Sequence, residues 1–307
     1  MEFPPRIYMI GAQKAGTTTL ADLLNQQPTI MLSSPKEPHF YSRHWGRGIG
    51  WYQKCFDPCD TCILVDASTS YSQAPTDLFP KAMDTKPNPY LCDVPERIHS
   101  LRPDAKFIYV LRNPADRAYS AYWHRVRRGE EHRPFRVAMR EVTAYYRGSD
   151  YIGQLRNYTK IFDIENFHFI IFEKMKRDIG ATVQSCCDFL EVDFDPTTTG
   201  LGVGVPAAEQ HKNKSFQYNG FANAVAGLFP SRDSFEDFVG TAKRIVPKAL
   251  RPYIGRVITA DIPPMADDDY ATIMEMYSTR IEQLSGMIDV DLGVWWSPSK
   301  ATAVPAT

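Results

Sequence analysis

The stretch Ile7-Tyr8-Met9-Ile10-Gly11-Ala12-Gln13-Lys14-Ala15-Gly16-Thr17-Thr18-Thr19-Leu20 decides how this chain is read. Its apolar opening predicts a strand over about residues 6–10, and Leu20-Ala21-Asp22-Leu23-Leu24 predicts a helix to about residue 26. Between them a tight turn carries Gly11, Lys14 and Gly16. Backbone N–H groups of such a turn converge on one anion, and the dipole of the following helix adds to them. Gly11 and Gly16 permit close backbone approach. Lys14 brings a mobile positive charge, and Thr17, Thr18 and Thr19 bring hydroxyl donors. The loop is P-loop-like, yet a Walker A loop carries its Lys directly after the second Gly. Here Lys14 stands two residues before Gly16.

A second anion site is legible about 100 residues later, in Lys106-Phe-Ile-Tyr-Val-Leu111-Arg112-Asn113-Pro114 and the residues up to His124. Lys106–Leu111 is β-rich and apolar, as a buried parallel strand is. Arg112 falls at its C-terminal end, where ligands collect in open α/β sheets. Asn113 predicts an N-cap and Pro114 the first helical position, with Ser120 about two turns along. Arg112 can grip a phosphate with its planar fork while Ser120 donates a hydroxyl. The plainer alternative is a carboxylate partner for Arg112 and an ordinary helical serine at 120.

The order Gln-Lys-x-Gly-Thr-Thr resembles the 5′-phosphosulfate loop of sulfotransferases that use 3′-phosphoadenosine 5′-phosphosulfate (PAPS). Leu-Arg-Asn-Pro-x-Asp-Arg-x-Tyr-Ser is similar to the 3′-phosphate motif of the same family. The likeness is to the heparan-sulfate type and its bacterial relatives, and it runs nearly end to end. Pro35-Lys36-Glu37-Pro38-His39-Phe40-Tyr41 resembles the segment carrying that family's catalytic Glu. Gly50-Trp51-Tyr52, Asp66 to Tyr71, Tyr151 to Leu155 and the ending Leu284 to Trp295 resemble further family elements. Two departures stand out. Ala67 occupies a position where glycan-modifying members carry Lys, and the later Lys-Gly-Arg loop over the nucleotide is absent as such. His211-Lys212-Asn213-Lys214-Ser215 is the nearest candidate, which makes Lys212 and Lys214 candidate nucleotide ligands.

The resemblance implies sulfuryl transfer to a hydroxyl or amine of a carbohydrate or small-molecule acceptor, with 3′-phosphoadenosine 5′-phosphate (PAP) as product. Lys14 and the N–H groups of Gly16 to Thr18, with Ala15 and Thr19 alongside, would hold the 5′-phosphate, Arg112 and Ser120 the 3′-phosphate. Lys36 would reach the transferring sulfuryl oxygens or the bridging oxygen, and Glu37 would act as general base. The bland reading of Glu37 is a solvated carboxylate paired with Lys36. His39 is the rival base, since its unperturbed pKa lies near neutrality, or else it lines the acceptor pocket or packs beneath the loop. No metal is required. The competing function is a P-loop nucleotide kinase or NTPase, for which Asp66, at a strand end, is the best Mg²⁺ ligand. A non-catalytic nucleotide-binding module fits poorly with Lys14, Lys36, Glu37, Arg112 and Ser120 all present.

Short strands alternating with helices predict an α/β fold, a central parallel sheet with helices on both faces. With 307 residues, no repeat and no polar linker, the expectation is one sulfotransferase domain over 1–307. Strands are expected at 62–65, 106–111 and 168–172, and helices at 94–101, 114–128, 134–147, 151–161, 178–190, 233–250 and 267–286. Residues 29–62 are expected as loops and 193–220 as a functional loop.

Net charge is −1, too even for a general nucleic-acid binder. Arg125, Arg127 and Arg128 read as a solvated helix face or an attractor for an anionic acceptor. The aromatics of 40–56, interleaved with His39, Arg43, His44 and Arg47, suit an acceptor cleft or a core. No signal peptide or 18-residue apolar span is visible. The expected compartment is cytoplasmic, the alternative being the Golgi lumen with an N-terminal anchor removed. Cys55, Cys59 and Cys62 are expected as free thiols. The weaker options are a Cys55–Cys62 disulfide, zinc with Cys92, or an iron–sulfur site.

Overall fold

The computed structural model describes residues 2–81, 88–199, 214–216 and 259–296, the strand residues 214–216 and 259–261 by their backbone. In chain order the elements are β1 (Ile7–Gly11), α1 (Thr17–Leu24), β2 (Ile30–Leu32), α2 (Ile49–Gln53), β3 (Ile63–Asp66), α3 (Val94–Leu101), β4 (Lys106–Leu111) and α4 (Pro114–Arg127). Then come α5 (Phe135–Glu141), α6 (Ala144–Arg147), α7 (Tyr151–Tyr158), β5 (Phe167–Ile171), α8 (Phe172–Met175), α9 (Ile179–Leu190) and α10 (Pro196–Thr199). The last are β6 (Lys214–Phe216), β7 (Thr259–Asp261) and α11 (Asp267–Ile288).

Five strands form one parallel sheet in the order β2-β3-β1-β4-β5. β1 is central and buried throughout. From β1 the chain moves outward to β2, whereas from β3 it crosses β1 to reach β4. That reversal makes β1 the switch point, and the crevice lies beyond its carboxyl end. Right-handed crossovers in opposite directions put helices on both faces.

Alternation along the strands sorts the two faces. Tyr8, Phe107, Tyr109 and Phe167 look toward Tyr41, Tyr71, Tyr151 and Tyr158. His168, on the other face, stacks on Phe189 of α9 and meets Ser185. Most of these buried tyrosine hydroxyls find partners, as burial demands, while that of Tyr109 has none. Tyr52 and Tyr71 donate to Asp66 Oδ2, each at 2.7 Å, and Tyr158 donates to the Tyr71 carbonyl at 3.0 Å. Burying such a ring contributes roughly 2 kcal/mol.

Several expectations change. Residues 29–62 are not all loop: β2 adds a sheet edge and α2 a helical turn, both too short for periodicity to reveal. The helix expected over 134–147 is two, because Val142 is extended (φ −120°, ψ 92°) between α5 and α6. Cys59 and Cys62 form a disulfide, their Cα atoms 5.6 Å apart and so within bridging reach. Cys55 is free and buried, its Sγ 3.8 Å from the Trp51 carbonyl oxygen. Among the described residues no cluster of three or more His, Cys, Asp or Glu side chains could hold a metal. No described helix is long and apolar enough to cross a membrane. The helix expected over 233–250 lies outside the described residues.

Candidate functional site

The turn after β1 is drawn by two left-handed residues, Lys14 (φ 71°) and Gly16 (φ 83°). Gly16 is also the N-cap of α1, which has no side-chain cap, so its first N–H groups stay open to an incoming anion. A Cβ on Gly16 would sit 2.6 Å from Met175 Cε and 2.8 Å from Phe172 Cε2, so β5–α8 packs against the loop. A Cβ on Gly11 would collide with Ser72 Oγ, which brings the segment after β3 to the same place. Ala15 and Thr17 are buried, while Thr18 and Thr19 are exposed.

Arg112 crosses to this loop. Its Nη1 donates to the Lys14 carbonyl at 2.9 Å across 98 residues of sequence, and its guanidinium lies 4.7 Å over the Phe172 ring. Its Nε is buried with no hydrogen-bond partner, and no carboxylate among the described residues pairs with it. The turn behind Arg112 is fixed on every side. Asn113 Oδ1 accepts from the N–H groups of Ala115 and Asp116, and Glu173 Oε1 accepts from Asn113 N at 3.0 Å. Tyr151 Oη donates to the Arg112 carbonyl at 2.7 Å. Trp295, fully buried, donates its indole N–H to Glu173 Oε2 at 2.8 Å and receives Asn113 Nδ2 on its carbonyl. The family-like ending is thus a clasp on the Arg112 turn.

Ser120, half-buried on α4, shares a helical stripe with His124 and Arg127 at i, i+4 and i+7. Burial, Arg127 and Arg112 lower Lys14 from its ordinary 10.5 to about 8. Burial, Lys14 and Arg127 lower His124 to about 4. His124 and Arg127 therefore share the electrostatic surroundings of Lys14, and the spacing from Ser120 could have found them. Arg125 and Arg128 instead face Glu130, at 3.7 and 2.6 Å. Lys214 opens β6, and Lys212 lies outside the described residues.

Glu37 is partly exposed and paired with Lys36, as the bland reading has it, but it is also held by Thr69. Its Oε2 accepts from Thr69 Oγ1 at 2.9 Å and Thr69 N at 3.3 Å, and its Oε1 from Lys36 Nζ at 3.4 Å. His39 Nε2 stands 3.5 Å from Oε2. His39 Nδ1 meets Ser70 Oγ at 2.7 Å, and its backbone N–H donates to Ser68 Oγ at 2.9 Å. Burial first and Arg43 next lower His39 to about 4, so it is neutral near pH 7 and a weak base. Asp66, the Mg²⁺ candidate of the kinase reading, is wholly buried and taken up by Tyr52, Tyr71 and Ser68 N. Its two oxygens already accept three hydrogen bonds within the fold, with which a Mg²⁺ ion would have to compete.

A parallel α/β sheet that sets a lysine-bearing turn, open helix N–H groups and Arg112 together at the carboxyl ends of β1 and β4 is the arrangement of the class of proteins that bind anionic nucleotides. The family model for the sulfotransferase domain matches residues 4–219, and the chain belongs to the sulfotransferase family. Mouse heparan sulfate glucosamine 3-O-sulfotransferase 6 is 29% identical over 195 residues, 61% of this chain and 52% of that protein. Mouse bifunctional heparan sulfate N-deacetylase/N-sulfotransferase 3 is 35% identical over 129 residues, 39% of this chain and 13% of that protein. The chain spans about half the length, or less, of these curated relatives. A solved sulfotransferase from Alicyclobacillus acidocaldarius shares the fold, with TM-score 0.62 and 22% identity over 96% of this chain and 100% of that one.

Proposed function

We propose that this chain transfers a sulfuryl group from PAPS to a hydroxyl or amine of a carbohydrate or small-molecule acceptor. The observation that carries the reading is the Arg112 Nη1 bond to the Lys14 carbonyl, which makes one site of two distant anion motifs. The residues suit a nucleotide with two phosphates: an orphaned Arg112 Nε, an uncapped α1 and a depressed Lys14 each gain from an added anion.

In this reading the P-loop-like turn, with Lys14 and the N–H groups of Gly16 to Thr18, holds the 5′-phosphate. Arg112 and Ser120 hold the 3′-phosphate, with Arg127 and His124 flanking. Glu37 takes the acceptor proton as the acceptor atom bonds to sulfur. The sulfur–oxygen bond to the nucleotide breaks, its electron pair stays on the 5′-phosphate of PAP, and Lys14 stabilises that charge. Lys36 serves the sulfuryl oxygens. The acceptor enters past Arg43, His44, Arg47 and Trp51, where the Arg47 guanidinium lies 4.9 Å over the Trp51 ring. That surface suits a ring bearing an anionic substituent.

Thermal stabilisation by PAP, set against ATP with Mg²⁺, tests the reading. A ligand at 100 times its Kd adds about 2.7 kcal/mol to the folded state. The expected result is a large shift with PAP and none with ATP–Mg²⁺; the reverse would make the kinase reading correct. PAP release from PAPS in the presence of desulfated heparan, glucosamine or 4-nitrophenol then assigns the acceptor class.

A further inference from the structure

We infer that Thr69 is the positioning residue that selects which oxygen of Glu37 meets the acceptor. The inference rests on Glu37 being the base. A carboxylate at the end of a three-bond side chain presents either oxygen with little preference, and fixing one in advance removes that freedom before reaction. Thr69 brings two donors to one oxygen. Its hydroxyl is 2.9 Å and its backbone N–H 3.3 Å from Glu37 Oε2. Oε1 is left with the Lys36 ammonium at 3.4 Å, on a long and half-buried side chain. Oε1 is therefore the oxygen that takes the proton, and Oε2 is the anchor.

Thr69 can impose this because it is itself held. It begins the helical turn Thr69–Ser72, separated from the end of β3 by Ala67 and Ser68, and it is 2% exposed, so water does not compete for its hydroxyl. The turn hangs from Asp66, whose Oδ1 accepts from Ser68 N at 3.0 Å while the hydroxyls of Tyr52 and Tyr71 grip Oδ2. As a β-branched residue, Thr69 has few χ1 choices. The neighbouring serines serve the other half of the pair: Ser68 Oγ receives the His39 N–H, and Ser70 Oγ meets His39 Nδ1. Of three consecutive hydroxyls, the outer two fix His39 and the middle one fixes Glu37.

The test is a double-mutant cycle read by PAP release from PAPS. It uses whichever of desulfated heparan, glucosamine or 4-nitrophenol the enzyme accepts, or water if it takes none. Thr69→Val should lower kcat about 10- to 100-fold, as a small misplacement of a catalytic group does. The KM for PAPS and the thermal shift produced by PAP should stay at the wild-type values. Thr69→Ser, which keeps the hydroxyl, should restore kcat. In a Glu37→Gln background Thr69→Val should cost nothing further, because its effect passes through Glu37. A Thr69→Val enzyme with wild-type kcat, an equal loss in both backgrounds, or no rescue by serine would overturn the inference. Turnover retained by Glu37→Gln would remove the base assignment itself, whereas an inactive Glu37→Gln beside an unimpaired Thr69→Val removes only the role of Thr69. If the valine variant does not fold, Thr69→Ala takes its place in the same cycle.

Discussion

Around the turn after β1, Lys14, Arg112 and Arg127 are like charges brought together, and burial first, with those two cations adding to it, lowers Lys14 to about 8. Around Glu37 the polar groups are paired within the fold: Glu37 accepts from Lys36 and Thr69, and His39 meets Ser68 and Ser70. One side leaves donors unpaired, Arg112 Nε and the first N–H groups of α1, and the other pairs its groups within the fold. The difference teaches where each task lies: a binding site gains affinity from unsatisfied donors, whereas a catalytic group gains rate from being already placed.

The sharpest way to break this contrast is Glu37→Gln. Turnover should fall by about 10²- to 10⁴-fold, with PAP binding almost unchanged. Retained turnover, measured as PAP release, would move the base role to His39 despite its low pKa. Next in size is Arg112→Ala, which should weaken PAP by about 10- to 100-fold, the worth of a charged hydrogen bond at about 1.5–3 kcal/mol. Adenosine 5′-phosphate should be weakened far less, and calorimetry showing equal losses for both would reject the 3′-phosphate role.

Lys14 supplies a pH test. Its folded pKa is below its unfolded value, so its unfavourable contribution to stability is full below about pH 8 and fades toward 10.5. An anion needs the charged amine, so affinity runs the other way. PAP affinity should fall above pH 8, by up to about tenfold per pH unit. Lys14→Met should bind more weakly throughout and show no such fall; a fall surviving in that variant would assign the titration elsewhere. His124, held to about 4, is neutral across this range and does not contribute. The smallest expected effect is on Gly16→Ala. A left-handed alanine facing Met175 and Phe172 should cost about 1–2 kcal/mol and lower the denaturation midpoint, and an unchanged midpoint would show that the loop yields easily.

The phosphate turn, the Arg112 strand and the helix at 114–127 were legible because each is local. Hydrophobic periodicity, an N-cap and a Pro at the first helical position are carried within a few residues. Glu37 and Lys36 were legible only through resemblance, since nothing local separates a held carboxylate from a solvated one. Thr69 carried no signal at all, lying 32 residues from the group it holds. Arg127 and His124 lay in between: their spacing from Ser120 was visible, but which way that face looked was not.

By itself the sequence determined the class of fold, the two anion motifs and the cations they carry, because strand and helix periods and backbone N–H donors belong to neighbouring residues. Tertiary structure decided that Arg112 reaches the Lys14 turn, that Trp295 clasps Asn113, and that Thr69 grips Glu37. Those contacts join residues far apart in the chain, and their geometry exists only once the sheet has set the carboxyl ends of β1, β3 and β4 side by side.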